Sequence, residues 1–292
     1  HRMLHITGQG RFADVMECAL YNGVLAGVNL EGNRFFYENP LASSGNHHRQ
    51  EFYDCACCPA NLARLLTSLG QYFYSRAQRE IYVHLYGSST VECEVNHTTL
   101  TLTQSTNYPW DGEIALEVEP NTNTQFGLSL RVPKWADDWS VEVNGKPAEG
   151  EPVEGYLRLR RTWQPGDRVK VRFPMRSRRI AASPHVLQDV GRIALKRGPL
   201  VYCVESCDHD VPLGSIQLPE DRQFRATGAD DICENLMALE GTGIATVGGD
   251  ASDALYRDTA TLETHEVPVR AIPYFAWDNR EPGRMLVWLP KA

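Results

Sequence analysis

The stretch DCACCPANLARLLTSLG, residues 54–70, is the last clearly helical segment of the chain. Its leucines recur at the spacing of one helix face, and Gly70 is a typical helix stop. Because proline is favoured at the first position of a helix, Pro59 predicts that this helix begins at about that residue, with Cys57 and Cys58 at or just before its N-terminus. From about Glu80, in the segment EIYVHLY, apolar residues recur at every second position, as in a strand. The sequence therefore predicts a helical part followed by a β-rich part.

Three cysteines, Cys55, Cys57 and Cys58, stand within four positions at the predicted start of this helix. The unpaired N–H groups and the positive end of the helix dipole stabilise an anion there, so a thiol should ionise more easily than a free one. A thiolate is both a nucleophile and a zinc ligand. The alternative is that the thiols pack as small hydrophobic groups, but three of them so close together favour a metal or catalytic role.

A zinc site needs three or four protein ligands. The nearby options are His47, His48, Glu17 and Cys18, but none of them has the spacing of a zinc finger or a zinc ribbon. Cys18 is expected to belong to the core. His84 lies in an apolar alternation and is expected to be a hydrogen-bonded core histidine rather than a catalytic one.

The helical part, residues 1–75, is predicted to hold the closing helices of a larger helical domain. A helical face over residues 12–23 follows what could be the end of an earlier helix at 1–6. A short hairpin with a glycine turn is expected at 28–37. Residues 71–79 are expected to extend or repeat the last helix.

Short strands separated by turns predict one β-sandwich over residues 76–178 and a second all-β domain over 179–292. The Asn-Gly pair at 144–145 is a strong hairpin signal. Residues 192–204 are expected to form two strands around a Gly-Pro turn. Residues 206–255, which are rich in glycine and acidic side chains, give the weakest pattern.

The composition is that of an ordinary globular protein: of 292 residues, 42% are hydrophobic and 23% are charged. The net charge of −8 argues against a nucleic-acid partner, and no apolar run is long enough to cross a bilayer.

Eight cysteines spread over so long a chain do not resemble a small secreted disulfide framework, so we expect a reducing compartment such as the cytoplasm. The first residues resemble neither a start nor a signal peptide, and we expect another segment to precede them.

Four motifs resemble those of glycoside hydrolase family 127, the β-L-arabinofuranosidases. They are RFADVMECALYNG at residues 11–23, FFYENP at 35–40, CACCPAN at 55–61 and AIPYFAWDNR at 271–280. The resemblance runs from end to end, and its cysteine motif is specific.

The resemblance implies an α+β multidomain fold, in which the C-terminal part of an (α/α)6 barrel, incomplete in this chain, is followed by two antiparallel β-sandwich domains. It also implies hydrolysis of β-L-arabinofuranosides with retention of configuration, by a zinc-bound cysteine thiolate and a glutamate acid/base. Matching the motifs makes Cys57 the nucleophile and a zinc ligand, makes Cys58 a second zinc ligand, and places Tyr37 in the sugar pocket. The implied cofactor is therefore Zn²⁺, and the implied partner is an arabinofuranoside-type carbohydrate.

The resemblance is incomplete at the other site residues. In the family, the acid/base glutamate and the remaining zinc ligands, a Glu and a Cys two residues apart, precede the helix at residues 11–23. No residue of this sequence matches them, because Glu17 and Cys18 are adjacent. We therefore expect a C-terminal portion with little hydrolase activity and weak zinc binding of its own. We also expect either self-association through an exposed barrel face or a missing half supplied by another chain.

Two other classes of function remain open from the residues alone. A non-catalytic carbohydrate-binding or structural β-sandwich module predicts that Cys57→Ser leaves any sugar affinity unchanged. A zinc-dependent structural module predicts loss of the fold on chelation.

Overall fold

The computed structural model describes residues 1–248, 256 and 258–292, and this part of the chain is mostly β with few helices. It divides into two compact units. One contains His1–Leu20 and Ala60–Arg176, and the other contains Tyr21–Pro59 and Ser177–Ala292. No helix among the described residues is long and apolar enough to cross a membrane.

Three α-helices occur among the described residues: α1 (Arg2–Thr7), α2 (Gly10–Ala19) and α3 (Cys57–Thr67). The predicted earlier helix is therefore present, and it ends at Gly8, whose left-handed backbone (φ 67°) allows its N–H to bond to the carbonyl of Leu4. Helix α2 continues into a π-helical turn at Leu20–Val24.

The strands are short and numerous. In chain order they are β1 (Ala42–Ser43), β2 (Tyr74–Ala77), β3 (Glu80–Val83), β4 (Ser89–Val95), β5 (Thr98–Thr106), β6 (Glu113–Pro120), β7 (Thr124–Arg131), β8 (Ser140–Val143), β9 (Lys146–Pro147), β10 (Tyr156–Trp163), β11 (Asp167–Arg172), β12 (Ser177–Ala181), β13 (Arg192–Arg197), β14 (Leu200–Glu205), β15 (Ile216–Gln217), β16 (Arg225–Gly228), β17 (Met237–Gly248), β18 (Leu262–Pro273), β19 (Met285–Leu286) and β20 (Leu289–Pro290).

The first unit contains two sheets. One has the order β10-β7-β3-β2, in which β3 and β7 run parallel and the other pairs are antiparallel. The other is antiparallel throughout and has the order β4-β5-β6-β11-β8-β9. The predicted Asn-Gly hairpin joins β8 to β9, with positive φ at Asn144 (52°) and Gly145 (74°).

The prediction that residues 71–79 extend the last helix is wrong. Helix α3 ends at Thr67, a 3₁₀ turn follows at Leu69–Tyr72, and the next residues form β2. Strand β2 pairs antiparallel with β3, Tyr74 lying opposite Val83. The partner strand therefore decides the conformation of a segment whose own helical pattern is weak.

A buried ion-pair network holds α2 to β7 inside the first unit. The fully buried guanidinium of Arg131 donates to Glu17 and, at 2.7 Å, to Asp14, while the Tyr108 hydroxyl donates to Glu17 at 2.6 Å. Burial alone would lower the pKa of Arg131, but the charges of Glu17, Tyr108 and Asp14 together raise it. Burial outweighs the Arg131 charge at Asp14 and raises the pKa of that carboxyl.

Replacing Arg131 by methionine should leave the buried Glu17 carboxylate without its charge partner. We expect the free energy of unfolding to fall by about 3–5 kcal/mol, measured by guanidinium denaturation followed by tryptophan fluorescence. Arg168→Met is the matched control, because the side chain of Arg168 is 79% exposed and 3.7 Å from Glu117. A loss in Arg131→Met no larger than in that control would contradict the role given to this pair.

The sequence prediction for His84 is confirmed. Its ring is buried, with Nδ1 2.7 Å from the Tyr156 hydroxyl and Nε2 2.7 Å from the Ser75 hydroxyl. Burial, assisted by the nearby charge of Arg131, lowers the pKa of His84 to about 3. His84 is therefore a neutral, hydrogen-bonded part of the core.

The low pKa of His84 makes stability depend on pH. Below its ordinary pKa of 6.5 the histidine takes up a proton in the unfolded state but not in the folded state. The free energy of unfolding should therefore fall as the pH drops from about 6.5 toward 3, by up to about 1.4 kcal/mol per pH unit from this residue. Denaturation at several pH values should show a shallower slope in His84→Gln, whereas the exposed His185→Gln should keep the slope of the original chain.

The second unit is built on a ten-stranded sheet. Its main path is β1-β19-β14-β18-β17-β15; β13 pairs with β12, β14 and β20, and β16 pairs with β17. Gly198 (φ 55°) turns the chain between β13 and β14, as the Gly-Pro pattern predicted. The long strand β17 begins in the region with the weakest pattern, part of which, 249–255, lies outside the described residues.

The predicted hairpin before the cysteines is present in reduced form. It consists of a single antiparallel bridge between Val28 and Phe35, with Gly32 (φ 77°) in the turn. Phe35 pairs in turn with Gln50, which brings the polar loop back beside the hairpin. Phe35 is thereby fixed by Gln50.

Candidate active site

The three clustered cysteines meet at the start of α3. Cys57 is the first residue of the helix, as predicted, so Pro59 occupies its third position, where an N–H would also lack a partner within the helix. The Cys55 and Cys57 sulfurs are 3.6 Å apart, and the Cys57 and Cys58 sulfurs are 3.7 Å apart. Cys55 and Cys57 are exposed, whereas Cys58 is half-buried.

The two adjacent thiols have opposite acidities. Hydrogen bonds from Cys55 and Cys58, with a further one from Tyr37, lower the pKa of Cys57. Burial, together with its hydrogen bond to Cys57, raises the pKa of Cys58. The prediction of an acidic thiol at this helix start therefore holds in direction for Cys57, where the neighbouring thiols are the main cause, and is wrong for Cys58, where burial and Cys57 raise the pKa.

Tyr37 is the third predicted site residue, and it contacts the cysteine cluster. Its hydroxyl hydrogen-bonds the Cys57 sulfur, and this bond, with the charge of the thiolate, raises the pKa of the phenol. The side chain of Tyr37 is about half exposed, so solvent and a ligand can reach it. Cys57, Cys58 and Tyr37, which the motifs singled out separately, thus form one group.

Tyr53 joins this group, although no pattern in the sequence selects it. Its hydroxyl donates to the Phe35 carbonyl at 2.8 Å and accepts the Tyr37 N–H at 3.1 Å. The Tyr37 and Tyr53 rings are 5.4 Å apart, and burial raises the pKa of Tyr53. A tyrosine two positions before Cys55 carries no local signal, because its partners lie sixteen and eighteen residues away.

Arg49 supports the loop that carries Tyr37. Its buried guanidinium donates to the carbonyls of Ala26, at 2.9 Å, and of Phe275 and Trp277, and its carbon lies 4.1 Å from the Phe36 ring centre. Burial lowers its pKa to about 10, which leaves it charged at neutral pH.

The final motif, residues 271–280, completes this support. Asp278 accepts the Arg49 N–H at 2.9 Å and lies 2.7 Å from His48 Nδ1, while the Trp277 ring stacks on Phe36 at 4.9 Å. The motifs at 35–40 and 271–280 are therefore structural partners within the second unit.

The other residues considered as zinc ligands have different partners. Glu17 bonds to Arg131, His48 bonds to Asp278, and His47 bonds to the Glu38 carbonyl. Cys18 is half-buried on α2. Among the residues that the structure describes, no group of three or more His, Cys, Asp or Glu is arranged to hold a metal ion.

The cysteine pair itself fits two positions of a zinc site. Two sulfurs bound to one tetrahedral zinc at about 2.3 Å lie about 3.8 Å apart. The 3.7 Å between the Cys57 and Cys58 sulfurs is close to that separation. The donor type and spacing thus suit zinc, and a complete site needs further ligands.

Comparison with known families accounts for nearly the whole chain. Residues 1–71 match the catalytic domain of the GH127 β-L-arabinofuranosidases, residues 80–175 match their middle domain, and residues 177–290 match the C-terminal domain of glycoside hydrolase family 127. The chain belongs to glycoside hydrolase family 127. The resemblance noted from the four motifs is confirmed.

Individual relatives agree with the family assignment. The chain is 33% identical over 315 residues to a non-reducing end β-L-arabinofuranosidase of Bifidobacterium longum subsp. longum, covering 98% of the chain and 46% of that protein. The crystal structure of a GH127 β-L-arabinofuranosidase from Geobacillus stearothermophilus T6 matches with a TM-score of 0.95 and 40% identity, over 100% of this chain and 48% of that one. Another structure, of a GH127 β-arabinofuranosidase, matches with a TM-score of 0.91 and 36% identity over 47% of its length. The chain thus spans about half the length of these relatives.

The opposite acidities of the two thiols predict unequal reactivity. Iodoacetamide at neutral pH should alkylate Cys57 faster than Cys58, because the thiolate is the reacting form and Cys57 is the more exposed. Peptide mass spectrometry after short labelling times measures both rates. The fully buried Cys203 should stay unlabelled in the folded chain, and equal rates at Cys57 and Cys58 would contradict the difference in their environments.

Proposed function

We propose that this chain carries the nucleophile and part of the zinc site of a retaining glycoside hydrolase that acts on β-L-arabinofuranosides. The observation that supports this most strongly is the environment of the Cys57 thiol. It is exposed, its pKa is lowered, its sulfur lies 3.7 Å from that of Cys58, and the Tyr37 hydroxyl bonds to it. Family membership and the names of the relatives supply the sugar.

The proposed architecture follows from the same family. Residues 1–75 would be the closing helices of a catalytic (α/α)6 barrel. Residues 76–178 and 179–292 would be two β-sandwich domains, the two sheets of the first unit forming the layers of the first sandwich. The expectation that the sandwiches are antiparallel is wrong for one pair of the first, since β3 and β7 run parallel.

In the proposed reaction, Cys57 is first the nucleophile and then the leaving group at the anomeric carbon. Its thiolate attacks that carbon, a carbon–sulfur bond forms, and the bond to the departing alcohol breaks as a carboxylic acid protonates the alcohol oxygen. Water then attacks the same carbon, the carboxylate takes the water proton, and the cysteine leaves as thiolate. Two inversions give net retention. No residue of this sequence matches the family's acid/base glutamate, so the proton steps are not assigned to a residue here.

Cys57 and Cys58 would hold the zinc ion, and Tyr37 would face the sugar. Zinc, when bound, supplies positive charge that keeps a coordinated thiol ionised. It would thereby also offset the burial that raises the pKa of Cys58. The hydroxyl of Tyr37, exposed beside Cys57, can donate to or accept from a sugar hydroxyl.

A sugar-directed label tests the proposal without requiring turnover by this chain. N-bromoacetyl β-L-arabinofuranosylamine and its β-D-glucosyl counterpart carry the same reactive group, whose bromide is displaced by a thiolate. We expect the arabinofuranosyl reagent to alkylate Cys57 at least about tenfold faster, a preference equivalent to about 1.4 kcal/mol of recognition. Intact-mass and peptide mass spectrometry give the site and the rate.

The controls separate this function from its rivals. Cys57→Ser should lose the adduct, and Cys207→Ser, which removes another exposed thiol, should keep it. Zinc bound after dialysis, measured by plasma mass spectrometry, should be lower in Cys58→Ser than in Cys207→Ser. Equal rates for the two sugars would contradict the proposed substrate. Sugar affinity that is unchanged in Cys57→Ser, with no adduct in the original chain, would favour a non-catalytic carbohydrate-binding module.

A further inference from the structure

The Tyr53 hydroxyl bridges two backbone groups on either side of Phe36. It donates to the carbonyl of Phe35 and accepts the N–H of Tyr37, so one side chain fixes the peptide segment from which the Tyr37 side chain departs. A phenol suits this position, because its hydroxyl can donate and accept at the same time.

The segment needs such support at Tyr37 but not at Phe35. The N–H and the carbonyl of Phe35 both pair with Gln50, which fixes that residue as in a strand. The pairing with Gln50 stops there: the Phe36 N–H bonds to the Gly27 carbonyl, and the Tyr37 N–H bonds to a side chain. Because the Tyr37 side chain is 49% exposed, close packing does not determine its direction.

We propose that Tyr53 is a positioning residue that directs the Tyr37 hydroxyl to the sulfur of Cys57, for the reaction proposed above. Tyr53 belongs to the segment that leads into the cysteine motif. It therefore connects the segment that carries the thiol to the segment that carries Tyr37. The 5.4 Å contact between the two rings restrains Tyr37 from the side. Tyr53 acts through Tyr37 and need not touch the sugar.

The rate of Cys57 alkylation by iodoacetamide at a fixed neutral pH reports the Tyr37 contact. Tyr37→Phe should slow the reaction by roughly threefold to tenfold, the effect of one lost hydrogen bond to the reacting thiolate. Tyr53→Phe keeps its ring and loses only the hydroxyl, and it should slow Cys57 in the same direction. The double variant should be no slower than Tyr37→Phe, since Tyr53 has no effect once the Tyr37 hydroxyl is gone.

Two results would overturn this role. One is a Cys57 rate in Tyr53→Phe equal to that of the original chain. The other is a double variant slowed by the product of the two single effects, which would mean that Tyr53 acts independently of Tyr37 by loosening the fold. Tyr202→Phe is the matched control, because its hydroxyl also donates to a backbone carbonyl of the second unit, that of Met237, and it should leave the Cys57 rate unchanged.

The sugar-directed label separates this inference from the proposed function. Tyr53→Phe should reduce the preference for the arabinofuranosyl reagent by the same factor as Tyr37→Phe. A preference for that reagent without coupling between Tyr53 and Tyr37 would overturn the positioning role and leave the function. Coupling without a sugar preference would support the positioning role and overturn the substrate.

Discussion

The segment that carries Tyr37 depends on the buried guanidinium of Arg49. A buried charge is costly unless its donors are satisfied, and Arg49 meets that requirement with backbone carbonyls from Ala26 and from residues 275–277. These carbonyls lie more than two hundred residues apart in the chain, so one side chain ties the hairpin loop to the C-terminal motif. Asp278 adds a carboxylate beside the same arginine and fixes its backbone N–H. Removing any of these groups would leave buried polar atoms without partners.

The first unit also contains a buried arginine whose donors are satisfied, but its partners are carboxylates. Arg131 is fully buried, and there the partners are carboxylates on α2, Glu17 and Asp14, rather than carbonyls. The two arginines together explain three of the four family motifs: residues 11–23 provide the carboxylates, and residues 35–40 and 271–280 pack together around Arg49. Those motifs therefore identify the fold. The proposed chemistry rests on the cysteine motif, whose Cys57 thiol is exposed and lies 3.7 Å from the sulfur of Cys58.

Local pattern was sufficient wherever the conformation is decided by neighbours in sequence. The start of α3 at the cysteines, the Asn-Gly hairpin at 144–145 and the buried His84 were all predicted, because each depends on a spacing or a turn residue. Strand β2 was missed because its conformation is set by pairing with β3, and β17 was missed because it lies in a region rich in glycine and acidic residues and its conformation is set by pairing with β18. Tyr53 and the two buried arginines were missed for the same reason. Polar side chains that hydrogen-bond to residues distant in sequence produce no periodic pattern in the sequence.

The environments of the two adjacent thiols differ in a way that agrees with the roles proposed for them. Both lie in the first turn of α3, so the helix end affects both and cannot by itself distinguish them. Exposure and hydrogen bonding distinguish the two thiols. Cys57 is exposed and its sulfur accepts hydrogen bonds, whereas Cys58 is half-buried. A nucleophile must reach its substrate as an anion, and of the two thiols Cys57 is the more exposed and the one whose pKa is lowered. A structural ligand needs neither exposure nor a low intrinsic pKa, because the ion it binds replaces its proton. Burial and hydrogen bonding therefore agree with the proposal that Cys57 is the nucleophile and that Cys58 is a zinc ligand, the roles that the family resemblance implies.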